Sequence, residues 1–173
     1  MKYAKQLLAI IAMFILLVSC THDDGQYELI ASEKSLPADF YEIAFVRKEV
    51  PFFYYGVTKA ENQSQYEKSW DFYRLEKKRP SENFNEKNVF FIGLEESGSC
   101  PIELVDITVN SKNEAMTIEL NDSGGACTAD ATPRTSVIEI DKDISKDLKN
   151  AIMVEEDLET TIPIDYYNAL KND

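Results

Sequence analysis

The chain has 173 residues and a formal net charge of -13, because 31 Asp and Glu residues outnumber 18 Lys and Arg residues. This length is enough for one domain with a hydrophobic core. The acidic balance argues against nucleic acid, whose phosphates attract Lys and Arg, and against flat docking on anionic lipid. An acidic surface by itself indicates solubility.

The N-terminal residues have the layout of a signal for export. Lys2 and Lys5 precede an unbroken apolar run over residues 7–18. As a helix this run would be about 18 Å long, which is shorter than the ~30 Å hydrocarbon core of a bilayer. The pattern therefore predicts a cleaved signal peptide instead of a membrane-spanning helix.

The sequence Leu-Val-Ser-Cys that ends at Cys20 resembles the lipobox of bacterial lipoproteins. An ordinary signal peptidase site has a small residue where this chain has Leu17, so the lipobox is favoured over a plain signal peptide with an unrelated cysteine. The resemblance implies that residues 1–19 are removed and that Cys20 carries acyl chains such as palmitate. Residues 20–26 would then be a lipidated tether that holds the protein on the extracytoplasmic side of a cell-envelope membrane, because two acyl chains anchor stably.

Two cysteines, Cys100 and Cys127, remain once Cys20 is lipidated. An even pair in an exported chain predicts a disulfide bond. Each cysteine lies beside a turn that contains Gly, and closing a loop of this size stabilises the fold by about 3.5 kcal/mol in the chain-entropy model. Two free buried thiols are the alternative. The chain has no Cys-x-x-Cys motif, which argues against a redox enzyme.

The first elements of the exported part are predicted to be strands. Strands are expected over 27–31 and 40–49, with breaks at Pro37 and Pro51. A third strand, over 52–57, begins with four consecutive aromatic residues. Such a run is typical of a strand with two rings in the core and two at its edge; a ligand platform is the alternative.

One helix is predicted over 65–76, because Ser64 followed by Glu67 fits a capping box. Its inner face carries aromatic residues at helical spacing: Tyr66, Trp70 and Tyr73. Trp70 is the only tryptophan, and we interpret it as a core anchor, with ligand stacking as the alternative.

The C-terminal half is predicted to be mainly β-structure. The expected strands cover 88–94, 102–109, 113–120, 136–140, 152–154 and 160–164. The run at 88–94 is almost continuously apolar, which indicates a central strand, and a change of alternation near Val105 indicates a β-bulge. Asp143 is predicted to cap a short helix that extends to residue 149.

Together these elements predict an α+β fold. We expect one mainly antiparallel, sandwich-like β-sheet domain over residues 27–173, with one or two short helices packed on it. No segment has the Pro, Gly and Ser density of a long linker, so no second domain is predicted.

The order of elements over residues 60–141 resembles the PrcB C-terminal-like domain of exported bacterial proteins. The resemblance is carried by a Tyr- and Trp-bearing helix, a turn with Pro80 and Phe84, an apolar strand, a Gly-containing turn at 98–101, and a hairpin followed by a strand at 137–140. At 98–101 the family has Thr-Gly-Gly-Tyr where this chain has Gly-Ser-Cys-Pro. The family is named for a lipoprotein subunit of a spirochaete surface protease complex, so the resemblance implies a non-catalytic accessory subunit.

The sequence carries no catalytic signature. Its one histidine, His22, lies in the tether, where it is poorly placed to serve as a positioned base. Gly-x-Ser-x-Gly, Ser-x-x-Lys and phosphate-loop motifs are absent, and the soft ligands are too few for zinc. Asp141 and Asp143 begin like a calcium loop, but the Gly and Glu that such a loop needs do not follow. We therefore predict no enzyme, no cofactor and no metal site.

The first candidate binding surface is the pair of loops that the predicted disulfide joins, over 97–101 and 122–134. Rigid Gly-rich loops suit partner recognition. The candidate residues are Gly98, Ser99, Pro101 and Arg134. The alternative is that the bridge only fastens one end of a sheet and that Arg134 pairs with a nearby acidic residue.

The second candidate is an aromatic patch formed by Tyr54, Tyr55 and Trp70, which would bind a small molecule or a cell-wall glycan. Our leading hypothesis is an exported, lipid-anchored protein that binds another protein as a non-catalytic or accessory subunit. A carboxylate-based hydrolase is the third hypothesis, because a glycosidase needs only two carboxylates.

Overall fold

The computed structural model describes residues 26–50, 52–110, 112, 114–155 and 157–165. The predicted signal peptide, Cys20 and the tether up to residue 25 lie outside these residues. The strands of the described part are β1 (Tyr27–Glu33), β2 (Phe45–Val46), β3 (Tyr54–Ala60), β4 (Lys87–Glu96), β5 (Ile102–Asn110), β6 (Ala115–Asp122), β7 (Thr132–Asp141), β8 (Asn150–Glu155) and β9 (Leu158–Pro163). The helices there are α1 (Phe40–Ile43), α2 (Gln63–Phe72) and α3 (Lys142–Ser145).

The strands form two sheets. The first sheet has the strand order β1-β7-β4-β3-β2, and all its neighbours are antiparallel. The second sheet has the order β5-β6-β8-β9, in which only the β6–β8 pair is parallel. The predicted α+β fold, mainly antiparallel with short helices, is confirmed.

Strand β4 lies at the centre of the first sheet and is covered on both faces. Phe90 and Ile92 face the second sheet and belong to the core between the two sheets. Val89 and Phe91 point the opposite way, into a second core beneath α2. Burial on both faces explains why the strand is apolar at consecutive positions instead of alternate ones.

Helix α2 packs its aromatic face on the first sheet, as predicted, but its boundaries differ. Asn62 is the N-cap, since its side chain accepts a hydrogen bond of 3.0 Å from the Gln65 amide, so Ser64 lies inside the helix. The helix ends at Phe72, four residues earlier than expected. Arg74 adopts the left-handed backbone conformation with φ of 58°, which stops the helix.

The predicted strand over 40–49 is wrong. Residues 40–43 form the single turn of α1, and only Phe45 and Val46 form a strand. Phe40 and Ala44 lie one helical turn apart and pack with Leu36 in a small cluster on the helical side of the first sheet. This packing decides the local structure, because a short apolar run fits both a strand and a helical turn.

The C-terminal half follows the prediction more closely. The β5–β6 register shifts between Leu104 and Asp106, which confirms the bulge, and β8 and β9 form the expected final hairpin. Helix α3 is shorter than predicted and is preceded by Asp141 instead of capped by Asp143. It stops early because the chain joins the second sheet at once: the amide of Lys149 donates to the carbonyl of Glu114.

The two ends of the sandwich carry different parts of the chain. We call the end where β1 begins the proximal end; there the Gln26 side chain accepts a hydrogen bond from the Val109 amide (2.5 Å). We call the opposite end the distal end. Strands β1 and β4 finish at the distal end, at Glu33 and Glu96, and the Cys-containing loops follow there.

Candidate functional site

The distal end brings the two predicted loops together. Cys100 and Cys127 lie at disulfide distance, with sulfur atoms 1.99 Å apart and Cα atoms 5.5 Å apart. The loop after β4 covers residues 97–101, and the loop between β6 and β7 covers 123–131. The second loop is shorter than the predicted 122–134, because β7 already begins at Thr132.

Hydrogen bonds join these loops besides the disulfide. The Asp130 carboxylate accepts a bond of 3.1 Å from the Gly98 amide, and the Ser99 hydroxyl accepts one of 2.9 Å from the Thr128 amide. A bond from the Thr128 hydroxyl and the bond from Gly98 lower the pKa of Asp130. A Cβ atom on Gly98 would lie 2.3 Å from the Asp130 carboxylate, so a larger residue at this position would have to displace that side chain.

Arg134 is not available to a partner in the way the sequence predicted. Its guanidinium lies 2.6 Å from the Glu96 carboxylate and also donates to the Ser32 hydroxyl (3.3 Å). Glu96 is buried at the end of β4. One part of the alternative therefore holds: Arg134 pairs with a nearby acidic residue, and it neutralises the buried Glu96 carboxylate. Pro101 and Ser99 remain in the loop that precedes β5.

The predicted aromatic patch does not form. Tyr55 is buried between the sheets, where its hydroxyl donates to Glu155 (2.7 Å). Trp70, on the inner face of α2, is buried against Phe91. Burial and the Glu155 carboxylate raise the pKa of the Tyr55 hydroxyl. Tyr54 points to the other side of β3, with its ring 5.2 Å from that of Tyr41. These three aromatic residues therefore do not offer one surface for stacking.

A cavity of about 450 Å³ opens at the distal end on the helical side of the first sheet. We call it the distal cavity. It is formed by the segment from Lys34 to Tyr41, by the residues after α2, by Glu95 on β4 and by the start of β7. Its volume lies within the ~300–1,000 Å³ of typical ligand pockets.

The wall of the distal cavity combines charges with apolar groups. Its cations are Lys34 and Arg74, and its acids are Glu76 and Glu95. The Tyr41 hydroxyl donates to the Glu95 carboxylate. Among the described residues, neither cation has an ion pair or a side-chain hydrogen bond. The apolar part of the wall consists mainly of small residues and prolines: Pro37, Ala38, Ala131 and Pro133.

Exposed apolar side chains flank the edge strand β2 at the same end. Val46, Val50 and Phe52 are 37%, 77% and 60% exposed. A group of exposed apolar residues is characteristic of interaction surfaces. Sequence analysis missed both this group and the distal cavity.

A separate pair of carboxyl groups, those of Glu82 and Glu139, lies outside the hydrophobic core beneath α2. Glu82 hydrogen-bonds to Glu139 of β7, and partial burial together with that neighbour raises the pKa of Glu82 to about 7. Lys87 lies 3.5 Å from Glu139. The two carboxyl groups contact each other, whereas the catalytic pair of a glycosidase is separated by at least about 5 Å. This pair is therefore not arranged for glycoside hydrolysis.

The described residues contain no group of three or more His, Cys, Asp and Glu side chains that could hold a metal ion. In the same part of the chain, no helix has the length and apolar character that crossing a bilayer requires.

Comparison of the chain with models of protein families, with curated proteins and with solved structures finds no match. The resemblances to the lipobox and to the PrcB C-terminal-like domain stay predictions.

Proposed function

We propose that the chain is an exported, lipid-anchored envelope protein that binds another protein as a non-catalytic or accessory subunit. The anchor in this proposal is Cys20, on the extracytoplasmic side of the membrane. The observation that carries it is the placement of Gln26 at the end of the sandwich opposite the disulfide-joined loops.

The tether limits how far the domain can stand from the membrane. Residues 20–26 span at most roughly 25 Å when fully extended, so the proximal end stays close to a lipidated Cys20. Strand β4 has 10 residues and is roughly 33 Å long. The distal end is then held away from the membrane, where a protein partner can reach it.

Three features of the distal end support partner binding over a purely structural role. The disulfide and the hydrogen bonds between the loops fix their shape before binding, which lowers the entropic cost of association. The distal cavity offers a concave surface. Exposed Val50 and Phe52 offer apolar contact area at the same end of the sandwich.

Cross-linking from defined positions tests this proposal. A photo-activated amino acid replaces Phe52 at the distal end, and in a matched variant it replaces exposed Asp143 at the proximal end. We expect one protein to be linked stoichiometrically in native membranes from position 52 but not from position 143. If neither position yields a stoichiometric partner, partner binding is wrong.

The anchor is tested separately. Cys20→Ser is expected to release the protein from membranes or to leave the signal peptide uncleaved, because the acylation site is lost. Unchanged membrane fractionation and unchanged mass of this variant would refute lipid anchoring without affecting the cross-linking result.

A further inference from the structure

We propose that the distal cavity binds the C-terminal carboxylate of the partner protein through Lys34 and Arg74. The apolar side chain of the partner's last residue lies against Ala38, Ala131 and Pro133. This inference rests on the proposed function, because it specifies how the partner is recognised.

The backbone conformation at Arg74 is the first feature that supports this site. Arg74 follows α2 with φ of 58°, and the next amide, of Leu75, donates back to the Trp70 carbonyl (3.2 Å). Helices that end in this way favour glycine in the left-handed position, because a Cβ atom is unfavourable there. Arg74 is one of three non-glycine residues with positive φ in the described part, and an arginine at such a site is a reason to look for a function of its side chain.

The two cations that line the cavity are the second feature that supports this site. Lys34 and Arg74 line the same cavity in a protein with a net charge of -13, yet neither has an acidic partner among the described residues. Both side chains are exposed, and other exposed lysines of the described part, such as Lys68, are also unpaired; what distinguishes Lys34 and Arg74 is that they line the same concave site. Two unpaired cations in one concave site complement an anion, and a guanidinium matches the planar geometry of a carboxylate.

The acidic residues of the wall indicate which anion fits. Glu76 and Glu95 also line the cavity, and they repel a doubly charged phosphate more strongly than a singly charged carboxylate. A phosphate site is usually built from clustered backbone amides, whereas four of the residues that line this cavity carry charged side chains and two of these are acidic. The cavity therefore favours a carboxylate.

The apolar wall indicates where the carboxylate comes from. A C-terminal residue carries its carboxylate and its side chain on the same Cα atom, so both fit within a site of about 450 Å³. A chain end can terminate inside a concave site, whereas an internal acidic segment has to both enter and leave it. Capture of a terminal carboxylate is a known mode of peptide recognition.

The test measures peptide binding to the full chain in mild detergent. The probes are acetylated tripeptides, acetyl-Ala-Ala-Xaa, that end in Ala, Val, Leu or Phe, together with the same peptides as C-terminal amides. We expect at least one free-carboxylate peptide to bind saturably and its amide to bind at least tenfold more weakly. Raising the salt concentration should weaken the binding of the free acid.

Variants separate recognition from folding. Arg74→Gly and Lys34→Gln are each expected to weaken binding at least tenfold, and Arg74→Gly should leave Tm unchanged or raise it, because glycine suits the backbone. Lys68→Ala removes an exposed cation of α2 outside the cavity and should bind like the wild type. If no free-carboxylate peptide binds, if the amides bind equally, or if Arg74→Gly binds normally, the inference is wrong.

The outcome is distinguishable from failure of the proposed function. If peptides fail to bind but position 52 still cross-links a stoichiometric partner, only the carboxylate site is wrong. If the peptides bind as expected but no partner is linked in membranes, the cavity is a carboxylate site and the accessory-subunit function is wrong.

Discussion

The Arg134 guanidinium and the Glu96 carboxylate form a largely buried ion pair where the two sheets meet. One Glu96 oxygen lies 2.6 Å from the guanidinium, and the other accepts a bond of 3.0 Å from the Ile102 amide at the start of β5. The side chains are 1% and 17% exposed for Glu96 and Arg134. Glu96 thus links the first sheet to the second at the distal end, and Arg134 neutralises its charge.

Replacing Arg134 should destabilise the fold. Arg134→Ala leaves the buried Glu96 carboxylate without its cation, and breaking one side of such a pair costs roughly 3 kcal/mol or more. Urea unfolding of the oxidised protein measures the change. Lys149→Ala breaks a pair whose side chains are 68% and 43% exposed, so it should lose much less. Equal losses in the two variants would contradict a structural role for the Arg134 pair.

The disulfide gives a second prediction. Alkylation of the native oxidised protein should modify neither Cys100 nor Cys127, and alkylation after reduction and unfolding should modify both. Replacing both cysteines with alanine should lower the free energy of unfolding by about 3.5 kcal/mol, because the unfolded chain loses a constraint across 27 residues. Two thiols that react in the native oxidised protein would refute the bond.

Sequence reasoning worked where a local pattern and the tertiary environment agree. The alternation of β6 places Met116 and Ile118 in the core, and the continuous run of β4 corresponds to a strand that is covered on both faces. The phase change near Val105 corresponds to an irregular register in β5. In each case the period of the side chains carries the information.

Sequence reasoning failed where contacts with residues far away in the chain decide the local structure. Phe40 lies in a helical turn instead of a strand, because it packs with Leu36 and Ala44 over Gly93 of the distant strand β4. Gly93 gives room for this packing, since an added Cβ would lie 2.9 Å from Leu36.

The distal cavity could not be predicted for the same reason. Four separate segments form it, and no short motif joins Lys34 to Arg74. The aromatic run at 52–55 had the right residue types for a patch. The alternation of the strand, however, sends Tyr55 into the core and Tyr54 to the opposite face.

Stability should depend on pH through Glu82. Burial, and then the hydrogen bond and charge of Glu139, raise the pKa of Glu82 to about 7 from its ordinary 4.5. The folded state therefore holds a proton that the unfolded chain releases at lower pH, so this residue makes the fold less stable as the pH rises from about 4.5 to 7.

Glu82→Gln keeps the side chain neutral at every pH and removes this dependence. The variant should match the wild type near pH 4 and be more stable than it at pH 7.5, as measured by thermal unfolding. Glu86→Gln, an exposed position in the same segment, is the control. A stability difference for Glu82→Gln that stays constant between pH 4 and 7.5 would show that Glu82 does not titrate in this way.

The hydroxyl of Tyr66 should be dispensable for stability. Tyr66 is fully buried, and within the described residues its hydroxyl has no hydrogen-bond partner. A buried polar group without a partner is unfavourable, so Tyr66→Phe should leave the free energy of unfolding unchanged or raise it by about 1 kcal/mol. The ring contacts with Trp70 and Phe91 are kept.

Tyr73→Phe is the matched control, because the Tyr73 hydroxyl shares a buried hydrogen bond of 3.0 Å with Thr58. That variant should lose about 1 kcal/mol. Urea unfolding compares the two, and an equal loss in both would mean that the Tyr66 hydroxyl is as well bonded as that of Tyr73.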